Sequence, residues 1–107
     1  MKGKEEVIQG KRPAYIIAEV EVTDPAVFQD YVATAGPTLA AYNARLIVRG
    51  KPRAKEGTQP VGEIVVVEFD SLEDAERWYS TPPYSDAIPM RQRSANTRLF
   101  IVEGEPR

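Results

Sequence analysis

The chain has 107 residues, 42% hydrophobic and 28% charged, with a formal net charge of -2 and neither cysteine nor histidine. That size allows one domain with a modest core, and the missing residue types exclude disulfides, a thiolate nucleophile, Cys- or His-based metal sites, a histidine general base and histidine-ligated haem. The slight negative charge also speaks against nucleic acid as a partner, since that affinity rests on Lys and Arg neutralising phosphates.

Residues 1–12 mix both charges with little that packs beyond Val7-Ile8, so a flexible leader is expected. This start lacks the apolar segment of a secretory signal, and no apolar run reaches membrane-spanning length. The expectation is a cytoplasmic protein without membrane contact. Residues 13–104 form one domain, and residues 105–107 form a tail.

Ala14–Val22 reads as a first strand, with Ile16, Ala18, Val20 and Val22 on one face and Tyr15, Ile17, Glu19 and Glu21 on the other. Thr23-Asp24-Pro25 opens a helix, because Asp24 caps free N–H groups and Pro25 suits the first helical position. Phe28, Tyr31, Val32, Ala35, Leu39 and Tyr42 then recur at helical spacing over residues 25–42. Gly36-Pro37 should kink or break this helix, with helical structure resuming near Thr38 and Asn43 ending it in the left-handed region.

Residues 45–49 form a short second strand, with Leu46 and Val48 on one face and Arg45, Ile47 and Arg49 on the other. A long mobile loop over residues 50–62 is expected from its Pro52, Gly57 and Pro60. Strand three is Glu63–Phe69, whose run Ile64-Val65-Val66-Val67 leaves neither face suited to water. Ser71 caps a second helix over residues 72–80, with Leu72, Ala75, Trp78 and Tyr79 as its buried stripe. Thr81-Pro82-Pro83 breaks it, a short helical piece follows over residues 84–91, and residues 98–103 form strand four.

The order is βαββαβ, a ferredoxin-like α+β arrangement with an antiparallel sheet and both helices on one face. Strands one and three, the most apolar, should be central. The uncovered face then carries Tyr15, Ile17, Ile47, Ile64, Val66, Phe100 and Val102, interspersed with Glu19, Glu21, Arg45, Arg49, Glu68 and Arg98. Leaving the seven apolar residues in water forgoes about 10 kcal/mol, comparable with the stability of a small domain. A homodimer that buries this face is the expected solution.

Val22-Thr23-Asp24-Pro25, Tyr31, Ala35-Gly36-Pro37, Arg45-Leu46-Ile47-Val48-Arg49-Gly50, Glu56-Gly57, Trp78-Tyr79-Ser80, Pro82 and Tyr84, Arg91 and Val102-Glu103-Gly104 follow one another in a recognisable order. Together they resemble the family of domains of unknown function numbered 1330, over about residues 14–104. That family is similar to the dimeric α/β-barrel superfamily, in which two ferredoxin-like chains stack their sheets. Its relatives include cofactor-free monooxygenases, lactone isomerases, haem-dependent chlorite-degrading enzymes and ligand-sensing domains, so the resemblance implies a fold and not one activity. The sequence departs from the family at Asn43-Ala44, where Gly-Gly is usual, and at Pro83, where an acidic residue is usual.

The candidate site residues are Tyr31, Arg49, Glu68, Trp78, Tyr84 and Arg91. Trp78, Tyr79 and Tyr84 with Arg91 would wall a pocket for a small aromatic or carboxylate ligand, although the spacing of Trp78 and Tyr79 equally describes core packing. Glu68 beside Glu19 would supply a raised-pKa base, unless Arg49 or Arg98 neutralises the pair as an inert network. Tyr31 reaches the same cavity or belongs to the core. Strand three offers Ile64 and Val66 where RNA-binding relatives of this topology carry stacking aromatics, which argues against RNA. No cofactor and no metal are expected. The reading is a small organic ligand in a pocket beside a dimer interface, bound either by a cofactor-independent enzyme or by a non-catalytic binding dimer.

Overall fold

A computed structural model describes residues 11–107, so most of the expected leader, including Val7-Ile8, lies outside the described residues. The elements are β1 (Ala14–Val22), α1 (Pro25–Ala35), a 3-10 helix (Gly36–Tyr42), β2 (Arg45–Gly50), β3 (Glu63–Phe69), α2 (Leu72–Ser80), α3 (Pro82–Ser85), α4 (Ile88–Ser94) and β4 (Ala95–Glu103). The strands form one four-stranded sheet in the order β2-β3-β1-β4, and every neighbouring pair is antiparallel. β1 and β3 are central, as their apolar content requires.

The local signals act as their chemistry dictates. Asp24 accepts from the Val27 N–H at 3.2 Å and Ser71 from the Asp74 N–H at 3.1 Å, which caps α1 and α2. Gly36-Pro37 ends α1 at Ala35, and the chain continues as a tighter 3-10 helix. Asn43 closes that helix at φ 53°. The prolines at 82 and 83 stop α2 but start a one-turn helix of their own, where a missing N–H costs nothing. The 51–62 loop carries internal bonds: the Gln59 amide donates to the Pro52 carbonyl at 2.7 Å and accepts from the Ala54 N–H at 2.9 Å.

Two strand details differ from the sequence reading. β4 begins at Ala95, three residues before the expected start, so Thr97 joins the sheet. A bulge in β2 between Leu46 and Val48 shifts its register: Val48 pairs with Val66, and Arg49 pairs with Val65. Arg49 was expected on the uncovered face, but the extra residue turns it to the helix face.

The register sets out the helix face as three rows. Thr97, Val20 and Glu63 stand side by side, followed by Leu99, Ala18, Val65 and Arg49, then by Ile101, Ile16, Val67 and Leu46. The helices pack over these rows, with Ala14, Ile16, Phe69, Ala75, Trp78 and Tyr84 fully or nearly buried beneath them. On the opposite face Phe100, Val102, Ile47 and Val48 remain 44–48% exposed.

Candidate functional site

An apolar cavity of about 170 Å³ lies between the helix layer and the sheet. Its origin is a deficit of side-chain volume. Ala18 occupies the middle of the central row, and Ala35 and Gly36 at the end of α1 also line the space, so small residues stand on both layers where larger ones would fill it. Phe28, Tyr31, Val32 and Ala35 at helical spacing make the roof, and the three sheet rows make the floor. A pocket of about 150 Å³ suffices for benzene, so the space matches a single ring or a short branched chain.

One end of the cavity is polar. Trp78 stacks on Tyr84 with ring centres 3.8 Å apart, and its indole N–H donates to the Thr38 hydroxyl at 2.8 Å. The fully buried Tyr84 hydroxyl lies 2.8 Å from that of Tyr31 and accepts from Arg91 Nη1 at 2.7 Å. Arg91 comes from α4, whose end is fastened to the start of α1: the Thr23 and Asp24 N–H groups both donate to the Ser94 carbonyl.

Arg91 is 7% exposed and forms no ion pair among the described residues; its Nε has no hydrogen-bond partner. Burial works against its charge, but the Tyr84 and Tyr31 hydroxyls outweigh that and hold its pKa above the ordinary arginine value. Burial, reinforced by Tyr31, pushes the Tyr84 phenol well above the usual tyrosine range. Arg91 is therefore a fixed cation and Tyr84 a fixed neutral hydroxyl, and neither exchanges protons near neutral pH. Thr97 lines the same cavity, and its hydroxyl is also buried without a partner. Toward β2 the lining carries Arg49, whose Nε lies 3.5 Å from a Glu63 carboxylate oxygen.

The structure thus brings Tyr31, Arg49, Trp78, Tyr84 and Arg91 onto one cavity, and Glu68 onto none of it. Glu68 sits on the opposite face of the sheet, paired across the strands with Tyr15. It is 8% exposed, bonded to Arg45 and Arg107, with the Tyr15 hydroxyl 3.4 Å away. Glu19 does not adjoin it; Glu19 faces Ile64 and is held by Arg98 at 3.2 Å. These carboxylates form the neutralised network rather than a pair.

Two cavity residues were missed in the sequence. Glu63 is in phase with Val65 and Val67 and was legible as a helix-face residue, but the bulge that delivers Arg49 to it was not. Thr97 is in phase with Leu99 and Ile101 and was lost with the late start of β4. Among the described residues no cluster of three or more acidic side chains is arranged to hold a metal ion, and no helix is long and apolar enough to cross a membrane.

The family described as a domain of unknown function (DUF1330) matches residues 13–105. The chain belongs to this family. Its DUF1330 fold is similar to a protein of unknown function from Rhodopseudomonas palustris, at 16% identity and a TM-score of 0.72 over 100% of this chain and 97% of that one. It is also similar to SnoaB, a cofactor-independent oxygenase from Streptomyces nogalater, at 10% identity and a TM-score of 0.58 over 91% and 96% of the two chains. A dimeric ferredoxin-like protein of unknown function from Thermobifida fusca aligns at 14% identity and a TM-score of 0.57, over 85% and 90%. No curated protein matches the sequence. At such identities the likeness is one of fold, and the DUF1330 site must be read from its own residues.

Proposed function

We propose that the cavity binds a small organic acid and that the protein acts on it without a cofactor. The observation that carries this is Arg91: a buried cation with an unbonded Nε–H, lining a largely apolar space whose one carboxylate, Glu63, pairs with Arg49 and not with Arg91. Buried guanidinium groups of this kind need an anion, and a ligand carboxylate or enolate supplies one. The Tyr84 and Tyr31 hydroxyls fix the guanidinium in place, and the ring-sized hollow takes the apolar body.

The same end of the cavity is arranged to stabilise an enolate oxygen, because its positive charge is already in position and partly desolvated. A proton lost from the carbon beside a carbonyl would pass to Glu63, the carboxylate on the lining, while the bonding electron pair moves onto that oxygen. The cofactor-independent oxygenase of similar fold supports such cofactor-free chemistry. A second reading, binding without turnover, is favoured by the Arg49–Glu63 pairing, which lowers the basicity of that carboxylate.

The cavity lies under the helices, so the homodimer is a separate part of the proposal. We infer that two copies stack their exposed sheet faces into a dimeric α/β barrel, since Phe100, Val102, Ile47 and Val48 are otherwise left in water.

Calorimetric titration with phenylacetate is the direct test. One saturable site per chain is expected, and Arg91→Met weakens binding roughly a hundredfold. Because that variant also removes an unpaired buried charge, its melting temperature should hold or rise. Equal affinity in both proteins would remove the site. Deuterium exchange at the benzylic methylene of phenylpyruvate, the carbon beside its keto group, separates the two readings: exchange above background that Glu63→Gln abolishes is catalysis, and its absence leaves a binding protein.

A further inference from the structure

The Thr97 hydroxyl is the second idle polar group of the cavity. It is shut off from solvent and has no hydrogen-bond partner, while Thr97 and Arg91 both line the cavity, so a ligand atom meets this hydroxyl through rotation about the Cα–Cβ bond of Thr97. Buried hydroxyls are nearly always bonded, and one left alone costs free energy that a ligand atom recovers. The residues around it offer no substitute. Along its sheet row Thr97 neighbours Val20, with Glu63 one strand farther on and already engaged by Arg49. The next inward position of its own strand is Leu99. Beneath an otherwise apolar floor of Ile16, Ala18, Val20, Val65 and Val67, a threonine in this place adds only a hydroxyl to what valine would supply.

Arg91 accounts for one anionic group of the ligand. A plain hydrocarbon acid, seated there, would cover Thr97 with apolar atoms and leave its hydroxyl unbonded. An acid with another oxygen would satisfy both. Sites built to bond a particular ligand oxygen reject analogues that lack it far more strongly than apolar pockets reject an extra methylene.

We propose that Thr97 is a specificity-determining residue, and that the acid preferred by this cavity carries a second oxygen, hydroxyl or keto, which the Thr97 hydroxyl engages. The inference rests on the acid-binding reading above, deepens it to oxygenated acids of ring size, and fails separately from it.

The test compares phenylacetate with mandelate, phenylglyoxylate and 4-hydroxyphenylacetate by calorimetry on the full chain. In the unmodified protein at least one oxygenated acid should bind about tenfold more tightly than phenylacetate. Thr97→Val should bring that ratio close to one, and Thr97→Ser, which keeps the hydroxyl, should restore most of it. A preference that survives Thr97→Val, or no preference among the four acids, overturns the role of Thr97 while leaving the acid site standing. Failure of every acid to bind the unmodified protein removes the acid site and the specificity together. Circular dichroism melts of both variants confirm that the ratio is read on folded protein.

Discussion

Tyr84 is the residue on which the polar end of the cavity turns. It stacks on Trp78, meets Tyr31 through its hydroxyl and receives Arg91, all from a position with no solvent exposure. Its raised pKa has a consequence for stability. In the unfolded chain its phenol loses a proton from about pH 10 upward, whereas in the fold it stays protonated. The unfolded state then holds fewer protons, so this residue's contribution to stability is intact below pH 10 and declines above it, by up to about 1.4 kcal/mol per pH unit. Chemical denaturation between pH 9 and 11 should show that decline, and Tyr84→Phe should flatten it. An unchanged slope in the variant would mean that the phenol is not held neutral by its surroundings. Tyr84 and Arg91 were legible in the sequence as residue types suited to a polar wall. That Arg91 would be buried without a carboxylate was not, since it depends on how α4 docks under α1.

The elements explain why there is a cavity at all. Helical and strand periodicities assigned the roof and floor correctly, because Phe28, Tyr31 and Ala35 share a helical stripe and Ile16, Ala18 and Val20 alternate along β1. Periodicity is blind to a bulge, however, since it counts residues and not hydrogen bonds. One extra residue at Ile47 inverts everything after it, and that moved Arg49 across the sheet. Depth within the layers is also invisible to period counting, so nothing in the pattern of β1 announced that Ala18 would lie on the floor of a cavity. Ala18 is the place to test the cavity as a feature of packing. Ala18→Leu adds a side chain that reaches into the hollow, so acid binding should be lost. Stability should change by no more than about 1–2 kcal/mol in either direction, as cavity filling gains contacts and any overpacking loses them. Retained binding in a normally folded Ala18→Leu protein would place the ligand elsewhere.

At the scale of the whole molecule, the two faces of the sheet have opposite fates. One is covered by helices and holds the site; the other leaves Phe100 and Val102 nearly half exposed beside the Glu19–Arg98 and Arg45–Glu68–Arg107 ion pairs. The apolar count on strands one, three and four made this asymmetry readable in the sequence, and the structure leaves that face open in the single chain. If two copies meet there, Phe100→Glu should convert a dimer into a monomer, checked by sedimentation equilibrium at micromolar concentration. A protein already monomeric before the substitution would refute the association. The hollow beneath the helices bears on the molecule's mechanical character as well. Space inside a fold that atoms do not fill is surrendered when the chain opens, so hydrostatic compression favours the open form. Rim residues Val32 and Leu46 are exposed, so the hollow is not closed, and its volume of about 170 Å³ caps what it could surrender at about 100 mL/mol. High-pressure fluorescence should therefore find this protein soft at hundreds of megapascals, and an occupant of the void should harden it.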